Sequence, residues 1–122
     1  MNFKISTKEI LHIISLEETE LAANMTEELR THLLKYLNAQ VSNLVVNLEN
    51  VAKIDLDLAK NLLSIQQEYY DHNHSMVLCG MQKEVENFLE ENGLIEQMNV
   101  TPSESEACDI VQMEEIEREL LS

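Results

Sequence analysis

Three short apolar runs, each followed by a stretch of helical spacing, constrain this chain more than any other feature. They are Ile10-Leu11-His12-Ile13-Ile14-Ser15-Leu16, Leu44-Val45-Val46-Asn47-Leu48 and Ser75-Met76-Val77-Leu78-Cys79. Runs this brief, apolar and rich in β-branched residues read as strands. After the first, Met25, Leu29, Leu33 and Leu37 recur at steps of four, with Leu34 and Tyr36 widening the contact surface. After the second, Leu58, Leu62, Ile65 and Tyr69 form a stripe, with Ala59 and Leu63 beside it. After the third, Val85, Phe88 and Leu89 mark the inner side of a helix over 82–91. Gly93 is placed to end that helix, where left-handed backbone is cheapest for glycine.

Short strands are expected at 2–6 and 98–100. A last helix is expected over 104–121, with Ala107, Ile110, Val111, Ile116, Leu120 and Leu121 as its apolar positions. The order is β-β-α-β-α-β-α-β-α. Strand–helix–strand repeats after residue 44 require right-handed parallel crossovers. The expected class is α/β: a mixed, mostly parallel sheet of about five strands packed with about four helices.

The 122 residues are the size of one domain, taken as 1–122. Aromatics are 4% with no Trp, so the core must be aliphatic. The formal net charge of -15 is uneven. Residues 1–81 carry six Lys/Arg against eleven Asp/Glu, and residues 82–122 carry two against twelve. Nucleic acid is a poor partner, and none is expected, because phosphate binding needs clustered Lys and Arg. An anionic membrane surface is disfavoured on the same ground. A basic patch on another protein would be attracted; the plainer role of the acid is solvation.

The start, Met1 to Glu9, has no apolar core of a signal peptide. No run approaches the ~18–20 apolar residues that span a bilayer. A cytoplasmic location without membrane insertion is expected. Cys79 and Cys108 form no C-x-x-C. Cys79 reads as a small buried hydrophobe, and Cys108 falls on a helix pattern.

The search for reaction chemistry is negative. His72-x-His74, with Asp71 nearby, offers two ligand types in a loop, whereas a metal site needs three or four fixed ligands. His12 and His32 have no recognisable partner in the sequence. Two isolated glycines cannot build a phosphate loop, and no G-x-S-x-G elbow occurs. Asp55 and Asp57 read as turn and cap residues, not as an acid–base pair. No cofactor, metal or catalytic residue is expected.

Three segments together resemble the STAS domain, named for sulfate transporters and anti-sigma factor antagonists. Thr19-Glu20-Leu21 to Leu29 resembles the family's early "GEL" segment. Leu44-Val45-Val46-Asn47-Leu48 to Asp55 resembles its "lvlDLs…iD" strand and loop. Met76 to Gly80, then Val85, Phe88-Leu89, Gly93-Leu94 and Glu106-Ala107, resemble its C-terminal half. The resemblance runs from residue 2 to about 112. It implies a regulatory protein-binding module like an anti-sigma factor antagonist. The switch loop D-S-S/T-G-L would dock on a histidine-kinase-like anti-sigma factor, with phosphorylation at the loop's second hydroxyl residue.

Here that loop is Asp55-Leu56-Asp57-Leu58-Ala59. Asp57 occupies the phosphoacceptor position, Leu58 that of the glycine, Thr19 that of the early glycine, and Asn47 that of the strand aspartate. The resemblance therefore implies a retained fold with a lost serine switch. Asp57 is expected to cap the helix, worth about 0.5–2 kcal/mol over Ala. It would also hold the docking surface permanently charged. The alternative role is a subunit of a transport or signalling-scaffold complex, which needs the surface but not the phosphoserine. Whether the acidic last helix covers the sheet or meets a second copy in a homodimer stays open in the sequence. So does modification at Ser64, Ser42 or Thr26.

Overall fold

The chain runs β1 (Phe3–Thr7), β2 (Leu11–Leu16), β3 (Glu20–Leu21), α1 (Thr26–Leu34), β4 (Asn43–Asn47), β5 (Lys53–Ile54), α2 (Leu56–Asp71), β6 (Met76–Cys79), α3 (Lys83–Glu91), β7 (Val100–Thr101) and α4 (Glu104–Leu121). This is a computed structural model, and it describes residues 1–121. Five strands form one sheet in the order β1-β2-β4-β6-β7. The β1–β2 hairpin is antiparallel, with Phe3 opposite Leu16. The β2–β4, β4–β6 and β6–β7 pairs are parallel, with Ile13 opposite Val45, Val45 opposite Val77, and Cys79 opposite Thr101. The expected α/β sheet with four helices is what the chain builds. None of the described helices is long and apolar enough to cross a membrane.

Strand alternation divides the core into two layers. Ile14, Leu16, Leu44, Val46, Leu48, Met76 and Leu78 share one cluster with the inner residues of α1, α2 and α3. Leu11, Ile13, Val45, Val77 and Cys79 face the other way, onto Ala107 and Val111 of α4. Strands buried on both faces need apolar residues at nearly every position, which is why these runs do not alternate in sequence. Burial pushes the Cys79 thiol up to about 12, so it stays protonated and acts as a small apolar group.

The second helix follows its stripe: Leu58, Ala59, Leu62, Ile65 and Tyr69 are fully buried, and Leu63 nearly so. Its far half is fixed by polar bonds. The Tyr69 hydroxyl donates to the Leu33 carbonyl. Gln66 donates to the carbonyls of Met76 and Asn99, and its own oxygen accepts from the Asn99 N–H at 3.0 Å. Arg30 on α1 reaches Glu68 at 2.7 Å.

Two helical expectations need correction. On the first helix Leu37, expected on the inner stripe, is only half-buried against the core, while Tyr36, expected to widen the contact, is buried. The chain tightens there into a 3-10 turn over Lys35–Asn38, whose three-residue repeat brings position 36 beneath 33. On α4, Ala107 and Val111 are buried, but Ile116, Leu120 and Leu121 stand in solvent. Eighteen helical residues span about 27 Å, whereas a five-residue strand spans about 16 Å, so the helix outruns the sheet. Polar bonds hold its second half. Glu114 accepts from the Tyr70 hydroxyl at 2.7 Å. Asn43 donates to Glu115 at 3.0 Å, and Arg118 bonds both Glu115 and the Asn43 oxygen.

Histidines without legible partners acquire them. His12 meets the Thr7 hydroxyl at 2.8 Å, and the His72 ring lies 2.7 Å from the Glu68 carbonyl at the end of α2. His32 stacks on Phe3 with ring centroids 3.6 Å apart, and its Nε2 is buried with no hydrogen-bond partner among the described residues. Burial and, secondarily, Lys35 lower its pKa from 6.5. The neutral ring is thus favoured in the fold, and the unfolded chain takes up the proton first. Stability from this residue is complete above pH 6.5 and falls as pH drops below it towards the lowered value. An NMR titration of the imidazole should give a midpoint below 6.5, and urea midpoints should decline across the same window.

Gly93 closes α3 with φ of +69°, and no described residue lies within 4 Å of the place its Cβ would occupy. Gly80 follows β6 with φ of +74°, and a Cβ there would meet the Asn47 Oδ1 at 3.0 Å. Gly93→Ala should cost roughly 1–2 kcal/mol of backbone strain alone. Gly80→Ala should cost more, because it adds a contact with a buried side chain. Paired urea denaturation curves of the two variants check the ranking.

Candidate functional site

The two motif segments that lie far apart in sequence meet at the start of α2. Residues Glu20 and Leu21 of β3 pair in parallel with Lys53 and Ile54 of β5. The Thr19 carbonyl accepts from the Ala52 and Lys53 N–H groups at 2.7 and 3.2 Å, and the Leu21 carbonyl accepts from the Asp55 N–H at 2.8 Å. Leu21 and Ile54 are buried, which anchors this small pair in the core. A two-residue strand has too few positions to show alternation, so this pair could not be read from the sequence. It nevertheless fixes where α2 begins.

Helix α2 is capped by Asp55, not by Asp57. The Asp55 carboxylate accepts from the N–H groups of Asp57 at 2.9 Å and of Leu58 at 3.2 Å. Its backbone is extended, with φ -74° and ψ 146°, and its carbonyl takes the first helical bond from Ala59. An N-cap must precede the first helical residue to aim its oxygen back at the orphan N–H groups. Asp57 lies inside the first turn and cannot do so. It is exposed, and its carboxylate has no hydrogen-bond or ion-pair partner among the described residues. The helix dipole favours that charge without any direct bond.

The five loop residues are thus not one surface. Asp57 is exposed, Asp55 and Leu56 are half-buried, and Leu58 and Ala59 are fully buried core residues. Lys60, one helical turn on from Asp57, is exposed, as is Lys53 on β5, whose ammonium lies 3.9 Å from Glu20. Of the other hydroxyls considered, Ser42 donates to the Ala39 carbonyl and Thr26 to the Ala23 carbonyl, while Ser64 is exposed on α2.

Asn47 ends β4, and its side chain joins that strand's exit to α4. Its oxygen accepts from the Glu49 N–H at 2.8 Å, and its amide donates to Glu104 on α4 at 3.1 Å. An ionised aspartate could accept the first bond but would face the Glu104 carboxylate with no proton to give. Asparagine is the residue that serves both. This bond joins positions 57 residues apart, and no local signal announces it.

No group of three or more His, Cys, Asp or Glu able to hold a metal occurs among the described residues. His74 is half-buried, and its pKa is lowered by burial and by Arg118. The cavities are open grooves; that between the β1–β2 turn and α4, about 560 Å³, is lined by Ile10, Cys108, Gln112 and Ile116 among others.

Comparison with known proteins gives a consistent answer for the fold. The family model of the STAS domain matches residues 4–107. Among solved structures, an anti-sigma factor antagonist from Mycobacterium paratuberculosis superposes with a TM-score of 0.78 at 13% identity, covering 91% of this chain and 93% of its own. RsbS of Moorella thermoacetica, in a serine-to-glutamate variant, gives 0.75 at 18% identity, covering 92% and 96%. The anti-sigma factor antagonist SpoIIAA in its unphosphorylated form, a Bacillus protein, gives 0.71 at 20% identity, covering 91% and 96%. No curated protein matches by sequence.

The cap assignment makes a ranking. Asp55→Ala should destabilise the fold by about 0.5–2 kcal/mol, through loss of two charge-assisted bonds. Asp57→Ala should cost no more than about 0.3–1 kcal/mol, the worth of an exposed charge near a helix start. Guanidinium unfolding of both variants beside the parent measures the difference; the opposite order would return the cap to Asp57.

Proposed function

The chain belongs to the STAS domain family, and on that premise we propose that it is a non-enzymatic regulatory module that binds a protein partner through the exposed start of α2. The reading rests on Asp57, an exposed carboxylate with no bonded partner among the described residues, at the position that the sequence resemblance aligns with the family's phosphoacceptor. The partner-facing residues in this reading are Leu56 and Asp57. Asp55 positions the turn, and Leu58 and Ala59 support it from the core.

The partner that fits is an anti-sigma factor of the histidine-kinase-like kind, whose nucleotide belongs to the partner. A docked surface must desolvate whatever charge it carries. Asp57 supplies about one negative charge where a phosphoserine would supply about 1.5 to 2. The surface is therefore held partly in the state a kinase would otherwise create, and no hydroxyl at that position can reverse it. The same missing hydroxyl favours a second reading, a transport or scaffold subunit whose contact is never switched.

Affinity capture from native lysate with wild type, Asp57→Ser and Asp57→Asn separates the two. Recovery of an anti-sigma kinase is expected, with a purified-partner Kd about tenfold tighter for Asp57→Ser and Asp57→Asn than for wild type. Addition of ATP should release the serine variant alone. Equal recovery of transport or scaffold proteins by all three forms would replace the switch reading with the constitutive one.

A further inference from the structure

Helix α4 presents two faces of different chemistry. Towards the sheet lie Ala107 and Val111, fully buried, then the bonded carboxylates of Glu114 and Glu115. On the opposite side Met113, Ile116 and Leu120 recur at steps of three and four, so they line one stripe. They are 56%, 56% and 79% exposed. A helix kept soluble by its acids has no need of large aliphatic side chains at helical spacing in water.

The charges around the stripe say what it fits. Glu106, Asp109 and Glu117 are exposed beside it. The helix's one basic residue, Arg118, is bonded to Glu115 and Asn43 on the sheet side. A second copy of this chain would bring the same carboxylates against these ones, like charge on like. A membrane with anionic headgroups is repelled in the same way. We infer that the stripe is a docking surface for an amphipathic helix of another protein, one whose apolar stripe is flanked by Lys or Arg. Met113, Ile116 and Leu120 would interdigitate with the partner's apolar ridge, while its basic flanks meet Glu106, Asp109 and Glu117. Since α4 and α2 cover opposite faces of the sheet, this surface is separate from the start of α2.

The test uses the full chain and two synthetic peptides of one composition. The first sets a leucine stripe between lysines at helical spacing; the second is scrambled so that no stripe forms. The patterned peptide should bind by calorimetry at least about tenfold more tightly than the scrambled one. It should shift the backbone amide NMR signals of 109–120 and leave 55–61 unmoved. Ile116→Ser with Leu120→Ser removes apolar surface without altering charge, and should weaken binding at least about tenfold. The thermal midpoint should not move, because both residues are exposed. Equal binding of the two peptides would reduce the effect to bulk charge and overturn the inference. So would shifts confined to 55–61. Sedimentation showing a wild-type dimer that the double variant abolishes would give the stripe to a second copy instead.

Discussion

Strand β4 is the reference on which the other elements are set. Its Leu44, Val45 and Val46 are fully buried, and an asparagine brackets them at each end. Asn43 bonds the Ile10 carbonyl, the Ser75 N–H, Glu115 and Arg118, so one side chain ties β2, the approach to β6, and α4. Asn47 bonds Glu49 and Glu104, which fixes the exit from β4 and the start of α4. Neutral amides suit these positions because each can donate to a carboxylate and accept from an N–H at once. Apolar burial alone would hold α4 against the sheet with little preference for where it lies. The two asparagines set its register.

From that frame α2 spans the molecule between two polar junctions. Its first turn is stitched through Asp55 to the β3–β5 pair. Its last turns are held by Gln66 on Asn99 and by Tyr70 on Glu114 of α4. Burial is the first cause that raises the Tyr70 hydroxyl above its ordinary pKa, and the neighbouring Glu114 adds to it, so the phenol keeps its proton and donates it. The helix is consequently fixed at both ends, and its exposed start is a rigid presentation of Leu56 and Asp57. A rigid surface loses little conformational entropy on docking, which suits a binding module.

The same fixation explains why one aspartate can be structural and its near neighbour not. Asp55 has its carboxylate committed to two N–H groups and its own N–H to Leu21. Asp57, two residues on, is inside the helix and turned to water. Spacing in the sequence places both near a helix start, but only the pairing of Leu21 with Ile54 decides which residue stands outside the first turn.

The order of the main strands and helices is written in local residue patterns. The reason is local: β-branched apolar runs, stripes at 3.6-residue spacing and a glycine after α3 act within a few residues of chain. The sequence also carried the family resemblance, through segments whose order and spacing survive at low identity. Features that require two distant segments to meet emerge only in the folded chain. The β3–β5 pair, which sets where α2 starts and so which aspartate caps it, and the donation from Asn47 to Glu104 belong here. So does the exposure of Ile116 and Leu120: a helical stripe says that a face is apolar, whereas the length of the sheet beneath it decides whether that face is covered.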